Sequence, residues 1–171
     1  SSSLPACKTW RAWCRSGGLY PMVYYPHNLH FLWASETMEG RSGAAIATAR
    51  KLRSRIEAQT ITAFPPAEEQ VPIPYFALVR FGRFDEMLAE PAPPASLRYA
   101  TGMWHHSRGM ALAALGRLDE ARSLYLELDG LCTAAGDAFN RSAVLNNLGA
   151  LEHTDGDLAA GGFVVLTGTV Q

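Results

Sequence analysis

Between residues 118 and 128 the apolar side chains fall at Leu118, Ala121, Leu124, Tyr125 and Leu128. Steps of three, three, one and three keep them on one face of an α-helix. A helical spacing returns at Val144, Leu145, Leu148 and Leu151, in steps of one, three and three. Glycines punctuate these helical stretches, and four segments share a pattern of Gly followed five positions later by a small or apolar residue. They begin at Gly40, Gly82, Gly116 and Gly156, at intervals of 42, 34 and 40 residues. A Gly at such a place ends one helix, because it enters the left-handed conformation without strain. The acidic residues after it, such as Asp119 and Glu120, sit in the first turn of the next helix and favour the positive end of its dipole.

This reading predicts helix pairs over residues 26–56, 72–89, 97–135 and 138–160, preceded by a helix near Ala6–Ser16. Gly136 is expected to end the second helix of the third pair. Pro65, Pro66, Pro72 and Pro74 mark residues 59–74 as a loop, and Pro91, Pro93 and Pro94 break the chain before residue 97. The Gly-rich, β-branched stretch at 161–171 does not continue the helical period and is expected to be irregular. The fold class is all-α, an open helical-hairpin repeat solenoid treated as a single repeat domain over 1–171.

The third pair carries a more specific pattern. Gly109, Leu112, Gly116, Ala121 and Tyr125 fit the tetratricopeptide order of Gly, aliphatic, turn Gly, Ala and aromatic at positions 8, 11, 15, 20 and 24. Of the three intervals, the one of 34 residues equals the tetratricopeptide period. The fourth pair supplies Gly149, Gly156 and Leu158, but has Glu152 at position 11 and Gly161 at position 20; in the first, Trp33 replaces the Gly at position 8. Near the N-terminus three runs are also informative: Cys14-Arg15-Ser16-Gly17-Gly18-Leu19-Tyr20-Pro21, Tyr24-Tyr25-Pro26-His27-Asn28-Leu29-His30-Phe31-Leu32-Trp33 and Met38-Glu39-Gly40-Arg41. Over roughly Ala6–Leu128 the chain resembles largely uncharacterised bacterial tetratricopeptide proteins and the animal tetratricopeptide repeat protein 38 group. The resemblance implies a C-terminal or internal part of a longer helical array, and it implies no activity.

Charge and composition narrow the function classes. The net charge is −1, so there is no overall basic field of the kind that attracts nucleic acid. The charge is uneven, with a surplus of Lys and Arg before residue 60 and of Asp and Glu after it. Cys7, Cys14 and Cys132 form no Cys-x-x-Cys pair, which argues against a disulfide framework or a structural zinc site. The run Ser1-Ser2-Ser3-Leu4-Pro5 is not expected to act as a signal peptide and no stretch of about 18 apolar residues occurs in the sequence, so a cytoplasmic setting without a membrane partner is expected.

The histidines are the main candidates for chemistry. His27 and His30 share a helix face but bring no third ligand at matching spacing. Counted by the tetratricopeptide resemblance, the groove-facing positions carry His27, His30, Met103, His106, Met110, Asn146 and His153. That resemblance implies a scaffold that holds a peptide or protein partner in a concave groove, with no catalytic residue, metal or cofactor. The alternative is a share in a metal-dependent or acid–base site built on the groove histidines. Groove lysines of the chaperone-tail clamp are missing although Asn147 falls at position 6, so acidic chaperone C-termini are not expected to bind. Asp85-Glu86 and Asp119-Glu120 read as helix-start residues, Ala49–Arg55 as a basic helix end without an interleaved aromatic, and Trp10, Trp13, Trp33 and Trp104 as packing anchors. Trp10, Trp13 and the weakened fourth pair leave apolar ends, so the isolated chain is expected to be marginally stable and to self-associate.

Overall fold

Four glycines take positive φ: Gly40 at 73°, Gly82 at 67°, Gly116 at 74° and Gly136 at 68°. Each closes a helix with the same pair of backbone bonds. At Gly116 its own N–H donates to the Ala113 carbonyl at 3.0 Å, and the following N–H of Arg117 reaches back to Leu112 at 2.9 Å. This double closure satisfies two carbonyls that a helix end would leave without partners. The residue four before each glycine turns inward as a result, giving buried Glu36, Leu78, Leu112 and Cys132.

The computed structural model describes residues 24–159, and every regular element among them is helical. The helix expected near Ala6–Ser16, Cys7, Cys14, Trp10, Trp13 and the tail at 161–171 lie outside the described residues. In order, the elements are α1 (Tyr25–Met38), α2 (Ser42–Arg53), α3 (Ala58–Ala63), a 3-10 helix (Pro65–Gln70), α4 (Ile73–Arg80), α5 (Phe84–Ala89), α6 (Arg98–Ala114), α7 (Leu118–Ala135) and α8 (Ala138–Ala159). None of them is long and apolar enough to cross a membrane. Two compact units divide the chain, Ser1–Ala77 and Leu78–Gln171, with the boundary inside α4.

In the first unit α1 and α2 pack as an antiparallel pair. Leu29 of α1 and Ala45, Ile46, Ala49 and Leu52 of α2 are all buried. The expected loop at 59–74 holds α3 and the 3-10 helix instead. Pro65 and Pro66 open the latter, where a missing N–H is no loss, so these prolines start a helix rather than exclude one.

In the second unit α6 packs on α5 and α7, and α7 packs on α8. The core is Leu112, Ala121, Tyr125, Leu128, Cys132, Val144 and Leu151, with Leu88, Leu118, Leu124 and Leu148 around it. Close approach of α6 and α7 depends on Gly109. A Cβ there would lie 2.7 Å from Tyr125 Cζ and 2.9 Å from Cε1, so the phenol ring lies flush against the bare backbone. Asp137 caps α8 by accepting the Asn140 N–H at 3.1 Å. Arg122 and Arg141 tie α7 to α8 through Glu152 and Asp129, each at 2.8 Å.

Two expectations for the last segment are corrected. Residues 138–160 do not form a hairpin turning at Gly156, since α8 runs through that glycine as a single helix. Among the described residues nothing lies within 4 Å of a Cβ built at Gly149, and Glu152 is an exposed ion-pair partner rather than a core residue. Leu145, read as part of the apolar face, is 47% exposed, while Val144 and Leu151 are buried in the core and Leu148 packs against it.

Candidate functional site

The residues read as groove-facing divide between the two units. His27 and His30 belong to α1, and both are exposed. Their rings are occupied by neighbours one turn along the same helix. His27 meets Phe31 edge-on, with centroids 4.7 Å apart, and His30 stacks on Trp33 at 5.4 Å. Desolvation, and secondarily the charge of His27, hold the His30 pKa below its ordinary value. Among the described residues no group of three or more His, Cys, Asp and Glu side chains is placed to hold a metal ion.

Below this aromatic pair α1 carries an unusual polar layer. Trp33 Nε1, Glu36 Oε2 and Thr37 Oγ1 are buried and have no hydrogen-bond partner among the described residues. Spaced three and one apart, they lie along one side of the helix. Glu36 holds the inward position that is Leu78 and Leu112 in the next two turns, and only 7% of it is exposed.

The second unit brings the remaining candidates closer together. On α6, Met103 and Met110 lie one turn to either side of His106, and all three are half-buried. The Asn147 side-chain N–H of α8 is 3.3 Å from His106 Nδ1. With the amide NH₂ placed as the donor, Nδ1 is the acceptor, which corresponds to the neutral tautomer that carries its proton on Nε2. The ring also lies 6.1 Å from that of Tyr125, whose hydroxyl donates to the His106 carbonyl at 3.5 Å. Burial lowers the His106 pKa and raises that of the Tyr125 phenol, so both groups stay uncharged near neutrality. Asn146 and His153 are exposed on α8, two turns apart on one side of the helix.

Asn147 is the part of this arrangement that sequence reasoning did not assign as a partner. The signal available was the pair Asn146-Asn147 in a helix whose apolar positions were otherwise regular. His105 points elsewhere. It meets Trp104 edge-on at 5.0 Å, and its buried Nδ1 lacks a partner. Desolvation pushes its pKa down, Glu127 opposes this, and Arg108 adds to it.

The basic end of α2 also differs from its sequence reading. Tyr25 of α1 supplies the aromatic ring that the run itself lacks, with Lys51 Nζ 6.0 Å and Arg55 Cζ 5.5 Å from its centroid. The two cations therefore pack on the Tyr face, and Arg53 donates to the Ile56 carbonyl at 3.2 Å. These are contacts that finish the helix end.

The chain matches no protein-family model, no curated protein and no solved structure.

Proposed function

We propose that the chain is part of a tetratricopeptide-type helical repeat protein that binds a peptide or protein partner, and that α6 and α8 carry the binding face in the second unit. The observation that carries this reading is the seating of the Tyr125 ring on Gly109 across α6 and α7. It fits the resemblance residue for residue: Gly109, Leu112, Gly116, Ala121 and Tyr125 make one packed hairpin, with Leu112, Ala121 and Tyr125 buried. In such a pair the first helix gives its other side to a ligand.

The side chains available on that basis are Met103, His106 and Met110 on α6 and Asn146 on α8. Two thioethers flanking an imidazole and an amide make a surface that is apolar, adaptable and uncharged. A short peptide with an apolar anchor and backbone groups free to bond would suit it better than an acidic tail, which needs cations. His27 and His30 are a separate element of the proposal, on the first unit. The His106–Asn147 bond supports a binding role over an acid–base one, since Nδ1 is already engaged and the ring is held neutral.

Selection of peptides against the full chain from a displayed random library tests this reading. Enriched peptides should bind with micromolar affinity by calorimetry, and Met110→Glu or His106→Ala should weaken them at least tenfold. Failure to enrich any sequence, or peptides indifferent to both substitutions, would contradict it.

A further inference from the structure

Pro91-Ala92-Pro93-Pro94 explains why α5 stops, but its placement goes further than a break in the chain. The segment crosses from the end of α5 to the start of α6, with Pro91, Ala92 and Pro94 exposed and Pro93 half-buried. Glu90, just before it, has φ −65° and ψ 131°, close to polyproline II geometry. Each proline then fixes its own φ in the same range. Among the described residues nothing donates a hydrogen bond to the carbonyls of Pro91, Ala92 and Pro93.

Both ends of the strap are clamped, and two clamping side chains come from one side of α6. Trp104 Nε1–H donates to the Glu90 carbonyl at 3.0 Å, and Arg108, one turn later, donates to the Leu88 carbonyl. The Arg108 guanidinium lies 4.7 Å from the Trp104 ring, so the two donors brace each other. At the far end the Leu97 N–H closes onto the Pro94 carbonyl at 2.9 Å. Between these fixed points the backbone has bare carbonyls, and three of its four residues lack an N–H.

We propose that this strap is a presented polyproline II ligand, recognised by a partner whose groove is lined with aromatic side chains. A polyproline II helix repeats every three residues, so Pro91 and Pro94 share one edge, about 9 Å apart. That edge is the one facing outward. Aromatic grooves take such a pair of prolines between rings, and an intervening donor uses the free carbonyls. Ordering the ligand is normally a large part of the opposing entropy, and here the clamps and the ring-fixed torsions have already ordered it. Arg98, exposed one helical turn beyond Pro94, offers a cation to an acidic rim of the groove. The proposal is independent of the α6–α8 binding face.

The test uses the full chain, titrated by calorimetry with two purified probes, an SH3 domain that accepts Pro-x-x-Pro ligands and a WW domain. Saturable binding of at least one probe is expected, with a loss of at least tenfold in the double variant Pro91→Ala, Pro94→Ala. Trp104→Phe keeps the packing and removes the N–H, and should weaken binding by about threefold to tenfold, the worth of one hydrogen bond. Circular dichroism of both variants verifies that the helices persist. No saturable binding by either probe, or binding unchanged by the double proline substitution, overturns the proposal.

Discussion

Replacing Glu36 by Leu should stabilise the α1–α2 pair, although it removes a charged group from a protein with only 18% charged residues. Glu36 stands at the inward position four residues before Gly40, where the turns at Gly82 and Gly116 have Leu78 and Leu112 at 0% and 4% exposure. Its Oε2 is buried without a partner. An unsatisfied buried polar group costs about 1–3 kcal/mol, and more when it is charged. Full burial of a Leu side chain contributes about 1.5–3 kcal/mol, but the methylenes of Glu36 already secure part of that. The two contributions therefore overlap, and a net gain of about 2 kcal/mol is expected. Hydrogen exchange of the α1 and α2 amides reads this unit separately from the second, and slowing by roughly tenfold to a hundredfold would match that figure. Glu36→Gln, which keeps the shape and removes the charge, should fall between wild type and Leu. Exchange that is unchanged or faster in Glu36→Leu would refute the reasoning. It would mean that the carboxylate makes a favourable interaction in the folded protein.

The glycines of α6 and α8 should respond in opposite directions to Ala. Gly109→Ala places a Cβ 2.7 Å from the Tyr125 ring and should lower stability by about 2 kcal/mol despite the better helix propensity, whereas Gly149→Ala meets nothing within 4 Å and should raise it by up to about 1 kcal/mol; urea denaturation of both variants checks this. Asp137→Ala removes the acceptor of the Asn140 N–H and should destabilise α8 by about 1 kcal/mol, seen as faster exchange in its first turn. His106 has a folded-state pKa below the ordinary 6.5, so its contribution is complete above pH 6.5 and is lost as pH falls through the folded value. Protonation also puts a second donor against Asn147. His106→Asn keeps an acceptor that cannot titrate, and melting curves from pH 7.5 to 5 should fall less steeply for it than for wild type.

The glycine punctuation was the most legible part of the fold. Gly40, Gly82 and Gly116 turn where the sequence placed turns, and Gly136 ends α7 as expected, because left-handed closure is a local property that one residue type decides. The same rule misled at Gly156. That residue has the same five-residue spacing, yet a turn also requires a following helix with an apolar face, and Gly161 and Gly162 offer none. At residues 59–74 the prolines read as breakers by residue type alone, but Pro65 and Pro66 occupy the first turn of a 3-10 helix, where a missing N–H is no loss. Burial was legible where the apolar period was clean, as at Ala121, Tyr125 and Leu128, and illegible at Glu36, where a tertiary position overrides residue type. The His106–Asn147 bond joins side chains 41 residues apart on two helices, a pairing that spacing along one helix cannot reveal.

Backbone NMR of the isotopically labelled chain, titrated with a peptide selected against it, tests the central claim most directly. The account predicts shifts concentrated at Met103, His106 and Met110 on α6 and at Asn146 on α8, saturating together at one affinity. Shifts centred instead on α7 residues such as Leu126 and Leu131, with α6 and α8 unmoved, would contradict it.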